Sequence, residues 1–204
     1  MTGLGVRVKS GWATAVVLAG PARAPRVAER LIIALSDPAV PTSRQPYHAV
    51  LRASPRTTAR LERTLRHVVD RATRRSLTRL LRDCRAAGHA VRRVTLVVGS
   101  DIDPARIGND HIRAHALEGR LFRTALEQAA RARRLACSVV VERTLYATAA
   151  AALKRSEAEL RRTVTELGRP VTGPWRSDEK AATLAAWLAL RAKSPATGRH
   201  PTRR

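Results

Sequence analysis

The chain has 204 residues, and its 39 Lys and Arg against 16 Asp and Glu leave a formal charge of +23 at pH 7. Apolar residues make up 44% and aromatics only 3%, which suits one α/β domain with a Leu, Val and Ala core rather than two full domains. No apolar run reaches the roughly 20 residues of a membrane span, and the charged start MTGLGVRVKS lacks the apolar stretch of a secretion signal.

Val6–Leu18 reads as two short strands joined around Lys9-Ser10-Gly11, with Gly11 supplying the bend. Gly20-Pro21 breaks the run, and Arg26–Ser36 resumes as a third strand of an antiparallel meander. Asp37–Pro55 is loop-like, with four prolines and one helical turn at Tyr47–Leu51. Arg56–Ala87 is a long amphipathic helix, broken at most once, with Gly88 placed to end it.

Val94–Gly99 is a buried strand followed by a polar loop with Pro104 and Gly108. A helix then runs from about His111 to Leu135, and Cys137–Glu142 is the fifth strand. Ser156 and Glu159 form a capping box for a helix over Ser156–Leu167. After the breaker Gly168–Gly173, Ser177 is expected to cap a final helix whose first turn carries Asp178 and Glu179. Residues 1–193 form the expected domain, with a basic, disordered tail at 194–204. Cys84 and Cys137 belong to no CxxC pair and read as buried reduced thiols, consistent with a cytoplasmic location.

Three strands, a long helix, a strand, a helix, a strand and closing helices resemble the ribonuclease-H-like superfamily. The segments SEAELRRTVTELG and DEKAATLAAWLAL after the fifth strand sharpen this toward RuvC-type Holliday-junction resolvases, in element order over residues 4–192. The implied fold is a mixed five-stranded sheet, three antiparallel strands then two parallel, with helices on both faces.

The resemblance also implies two divalent cations, Mg²⁺ or Mn²⁺, held by four carboxylates for phosphodiester cleavage. Arg7 to Ser10 occupy the place of the first-strand acid, with Lys9 as its counterpart, and an ammonium group cannot ligate magnesium at neutral pH. Gly99 and Ser100 stand where the second acid ends the fourth strand, displacing it at best to Asp101. Asp178 and Glu179 remain at the closing helix, followed by Lys180, and Lys9 is expected to pair with Asp178.

A second constellation is local. His111, His115 and Glu118 at i, i+4 and i+7 share a helix side. They could chelate a transition metal, act as acid and base beside a phosphate, or line a polar face with Glu118 paired to Arg120 or Arg123. Arg113 could grip phosphate in the first turns, and Arg60, Arg63, Arg71, Arg74 and Arg82 make a stripe for backbone phosphates. Trp12, Trp175 and Trp187 read as packing residues, Trp175 being the best candidate for base stacking.

The leading expectation is a nucleic-acid-binding protein on a degenerate, non-nucleolytic resolvase-like domain without a cofactor. One rival is a metal-dependent phosphodiesterase with a rearranged site, using Asp101, Asp103, Glu118 and Asp178, joined by His111 and His115, with Mg²⁺ or Mn²⁺. Another is a basic module for protein or ribosome contacts, its charge a solvated arginine-rich surface. The sequence sets no oligomeric state, and a homodimer is compatible with it.

Overall fold

The computed structural model describes residues 1–191, so the tail at 194–204 lies outside the described residues. A five-stranded sheet is built from β1 (Thr2–Lys9), β2 (Trp12–Ala19), β3 (Arg26–Ala34), β4 (Arg93–Val98) and β5 (Ala136–Val141) in the order β3-β2-β1-β4-β5. The first three strands are antiparallel, and β4 and β5 run parallel to β1, as the resemblance implies. Helices α1 (Pro46–Leu51), α2 (Pro55–Ala86) and α3 (Asp110–Ala132) cover one face, while α4 (Leu145–Leu153), α5 (Glu157–Glu166) and α6 (Ser177–Arg191) cover the other.

The period-2 alternation of a strand divides the core in two. Leu4, Val6 and Val8 of β1 and Leu96 and Val98 of β4 pack under Val69, Leu77 and Phe122 of α2 and α3. On the reverse face β1 offers Gly3 and Gly5, and there α6 lies directly against the strand. A β-carbon on Gly5 would fall on the backbone of Ala182 and Ala186, so only glycine admits this approach. The next residues on that face are Arg7 and then Lys9, beneath the start of α6.

The long helix α2 is a single unbroken element of 32 residues, about 48 Å long. It ends in a Schellman motif: Gly88 at φ +79, with His89 N–H donating to the Cys84 carbonyl and Gly88 N–H to that of Arg85. The capping box of Ser156 and Glu159 forms as expected. Ser177 opens α6 instead of capping it, because Glu179 reaches back to accept from the Arg176 N–H at 2.9 Å. Cys84 and Cys137 are free, and burial pushes both thiols up to about 11, so neither is a ready thiolate. Among the described residues, no helix is long and apolar enough to cross a membrane.

Candidate functional site

The carboxyl ends of β1 and β4 meet the starts of α3 and α6, the place where open α/β sheets gather functional groups. A cavity of about 420 Å³ opens there, lined among others by Arg7, Lys9, Ser10, Gly99, Ser100 and His115.

Lys9 does reach Asp178, its Nζ lying 3.1 Å from Oδ1. The deeper cation is Arg7, which the sequence reading passed over in favour of Lys9. Arg7 is 5% exposed, hydrogen-bonds Glu142 at the end of β5, approaches Asp178 at 3.7 Å and donates to the Val8 carbonyl. Two cations and two carboxylates thus share the end of the sheet. Arg7 carries its charge at any working pH, and on a face covered by α6 it needs both acids to offset its desolvation.

The other expected acids do not join this group. Asp101 and Asp103 are exposed, and Asp103 accepts from the Ala105 N–H to cap a short 3₁₀ turn. Among the described residues, Asp101, Asp103 and Asp178 therefore form no metal-holding cluster. Glu179 turns the other way, onto Arg30 of β3 at 2.8 Å. Burial alone would push its carboxyl up. Hydrogen bonds from Arg30 and from the Arg176 N–H outweigh that and hold it below the ordinary value. Glu179 thus ties α6 to β3. Lys180, next to it, is half-buried and makes no ion pair among the described residues.

On α3, capped by Asn109 through the Ile112 N–H, Glu118 falls within the apolar stripe of Ala114, Leu121, Phe122 and Ala125 and is fully buried. It pairs with neither Arg120 nor Arg123. Its Oε1 accepts from His48 at both Nδ1, 2.8 Å, and the backbone N–H, 3.3 Å. His48 comes from α1 and completes a group with His111 and His115, in which one ring nitrogen from each residue lies within 4.8 Å of the other two. A buried acid on a core stripe demands a polar partner, and that is the sequence signal that could have led to His48.

Arg113 is not free for phosphate. Its guanidinium donates to the Ile107 and Gly108 carbonyls and pairs with Asp110, fixing the loop before α3. Trp175 packs on Gly168 and donates to the Val164 carbonyl at 2.8 Å. That removes it as a stacking platform, and Trp187 is buried in the core.

The stripe on α2 does face solvent. Arg60, Arg63, Arg71, Arg74 and Arg82 are all exposed, and Arg82 alone of the five meets an acid, Asp83, among the described residues. A second basic group, Arg85, Arg92, Arg133 and Arg134, joins Arg82 around a cavity of about 570 Å³ where α2 and α3 end.

No protein-family model matches the chain, and no curated protein is similar to it in sequence. Solved structures are similar to it in fold. The structure of Thermus thermophilus RuvC matches at a TM-score of 0.50 with 13% identity, covering 92% of each chain. That of T. thermophilus RuvC in complex with a Holliday junction substrate matches at 0.51 with 14% identity, covering 92% of this chain and 91% of that one. The chain has the ribonuclease-H-like fold of RuvC.

Proposed function

We propose that the chain binds nucleic acid on this scaffold and that the site at the end of the sheet does not cleave phosphodiester bonds. One observation carries the reading: Arg7 stands between Asp178 and Glu142, where a nuclease of this fold would leave carboxylates free for divalent cations. A magnesium ion entering there would have to displace a buried guanidinium and an ammonium group, against the repulsion of both. Arg7 and Lys9 supply the positive charge that the metals would otherwise bring, without generating a nucleophilic hydroxide.

At the rim of the site the partly exposed Lys9 offers one contact to a phosphate, Arg7 being held by both acids. The exposed arginines of α2 extend that attraction to a polyanion, in contacts that bind without reading sequence. Since T. thermophilus RuvC was solved on a Holliday junction substrate, a four-way junction is the natural first probe, with duplex DNA and single-stranded RNA beside it.

Fluorescence anisotropy across a salt series tests the binding half of the proposal. The expected result is an affinity that falls steeply with salt, by about 0.9 in log K per log salt for each phosphate contacted on duplex DNA. Incubating the same probes with Mg²⁺ or Mn²⁺ tests the other half, and intact probes are expected. Metal-dependent cleavage that Asp178→Asn abolishes would establish a rearranged phosphodiesterase instead. Absence of salt-sensitive binding to any probe would return the charge to protein contacts.

A further inference from the structure

Three imidazoles meet on the α1–α3 side of the cavity, and the way each is held points to a ligand. His48 donates Nδ1–H to Glu118, and in the neutral ring Nε2 is then the bare acceptor nitrogen. This Nε2 is buried and has no hydrogen-bond partner, although a buried acceptor ordinarily finds one. The His48 ring stands 4.7 Å from that of His111 and 4.3 Å from that of His115, centroid to centroid. His111 and His115 sit one helical turn apart and bring their Nε2 atoms to 3.3 Å.

That spacing fits a shared metal ion as well as a hydrogen bond between the two rings. Two nitrogens bound at the usual Zn–N length of about 2.05 Å in a tetrahedron lie about 3.3 Å apart. Glu118 has the place of an outer carboxylate. It grips His48 from behind at 2.8 Å, and its second oxygen, without a hydrogen-bond partner, faces His115 Nδ1 at 3.9 Å. Metal-binding histidines are commonly held by such a carboxylate, which orients the ring and raises its basicity.

We propose that His48, His111 and His115 bind one divalent transition ion of the zinc class through Nε2, with Glu118 as the carboxylate that orients His48. The all-imidazole donor set suits zinc, copper or nickel and not magnesium or calcium, which take oxygen ligands. His111 and His115 are exposed, so the fourth position opens to solvent, and His115 also lines the cavity that holds Arg7 and Lys9. This site is independent of the Arg7–Asp178 group and of the nucleic-acid reading.

The test uses the full chain, free of any affinity tag and stripped with chelator. Co²⁺ is titrated in as a spectroscopic probe and Zn²⁺ is followed by calorimetry. The expected outcome is one equivalent bound, with the intense visible absorption of tetrahedral Co²⁺. His111→Ala, a change at an exposed position that should leave the circular dichroism spectrum intact, is expected to abolish that absorption. Glu118→Gln is expected to weaken binding by about 10- to 100-fold, and His48→Ala covers the same prediction if the glutamine variant does not fold. Weak, octahedral or superstoichiometric Co²⁺ binding, or binding unchanged by His111→Ala, would overturn the proposal. Nucleic-acid affinity measured on the same samples reports separately on the proposed function.

Discussion

Lys9 Nζ lies 3.1 Å from Asp178 Oδ1, the oxygen that Arg7 Nε approaches at 3.7 Å, and the two cations differ in burial. The Lys9 side chain is 36% exposed, against 6% for Arg7. Solvent screens the outer pair, so Lys9→Ala should cost about 0–1 kcal/mol. Arg7→Met leaves Glu142 without a partner and Asp178 with Lys9 alone, and should cost more, about 2–4 kcal/mol, with the water-accessible Glu142 keeping it below a fully buried case. Urea unfolding of both variants measures the difference, and equal costs would show that the two cations act as equivalent surface charges.

Lys9 came into view through the resemblance in element order, which sets the end of the first strand against the first turn of the closing helix. Arg7 did not. Its strand, VRVK, alternates like one with a solvated face, and the helix that covers that face lies about 170 residues away. His48 was hidden for the same reason, sitting in a proline-rich connection with nothing local to link it to α3. The meander, the capping box and the glycine stop after α2 were legible because each rests on neighbouring residues alone. Arg113 misled: a first-turn arginine resembles a phosphate grip, but the loop before it leaves the Ile107 and Gly108 carbonyls for it to satisfy.

Gly5 sets how closely α6 can approach β1, and therefore where Asp178 stands. Replacing glycine by alanine in a strand ordinarily stabilises by reducing the freedom of the unfolded chain. Here the added β-carbon meets the backbone of Ala182 and Ala186, which cannot rotate aside as a side chain would. Gly5→Ala should destabilise by about 3 kcal/mol or more, the upper end of overpacking costs. Thermal unfolding checks this, and an unchanged midpoint would mean that α6 slides freely on the sheet.

Glu179 makes part of the stability pH-dependent. Its native carboxyl is held below the ordinary 4.5, so the ionised form is favoured in the folded chain. The contribution is fully present above the unfolded value and is lost as pH falls through the lower native one. Glu179→Gln should therefore be less stable than the parent near neutrality, and the gap should close in acid. Urea unfolding from about pH 7 to about pH 3 measures it, and a gap that persists or widens in acid would contradict the Arg30 pairing.

Arg60, Arg63, Arg71 and Arg74 carry charge with no acidic partner among the described residues. If this face follows a phosphate backbone, each arginine that contacts one phosphate should lower the salt slope by about 1 when changed to alanine. The four-fold variant should lose affinity for duplex and branched DNA alike, since backbone contacts carry no sequence information. An unchanged slope in the anisotropy series would assign the stripe to solvation alone.

Arg7→Asp asks whether the end of the sheet can still hold a divalent cation once the guanidinium is gone. The variant would set a third carboxylate beside Asp178 and Glu142. Without metal, repulsion among these acids lowers stability, and Lys9 offsets only part of it. Millimolar Mg²⁺ should then raise the variant's melting temperature and leave the parent's unchanged, because in the parent the same acids are occupied by Arg7. For a Kd of about 1 mM, 10 mM Mg²⁺ stabilises by about 1.4 kcal/mol, a shift of about 3–6 °C for a chain of this length. Calorimetry at matched ionic strength separates specific binding from general screening, with Ca²⁺ and excess KCl as comparisons. An equal response of parent and variant to Mg²⁺ would show that Arg7 does not occupy a cation site, and the non-nucleolytic reading would lose its support.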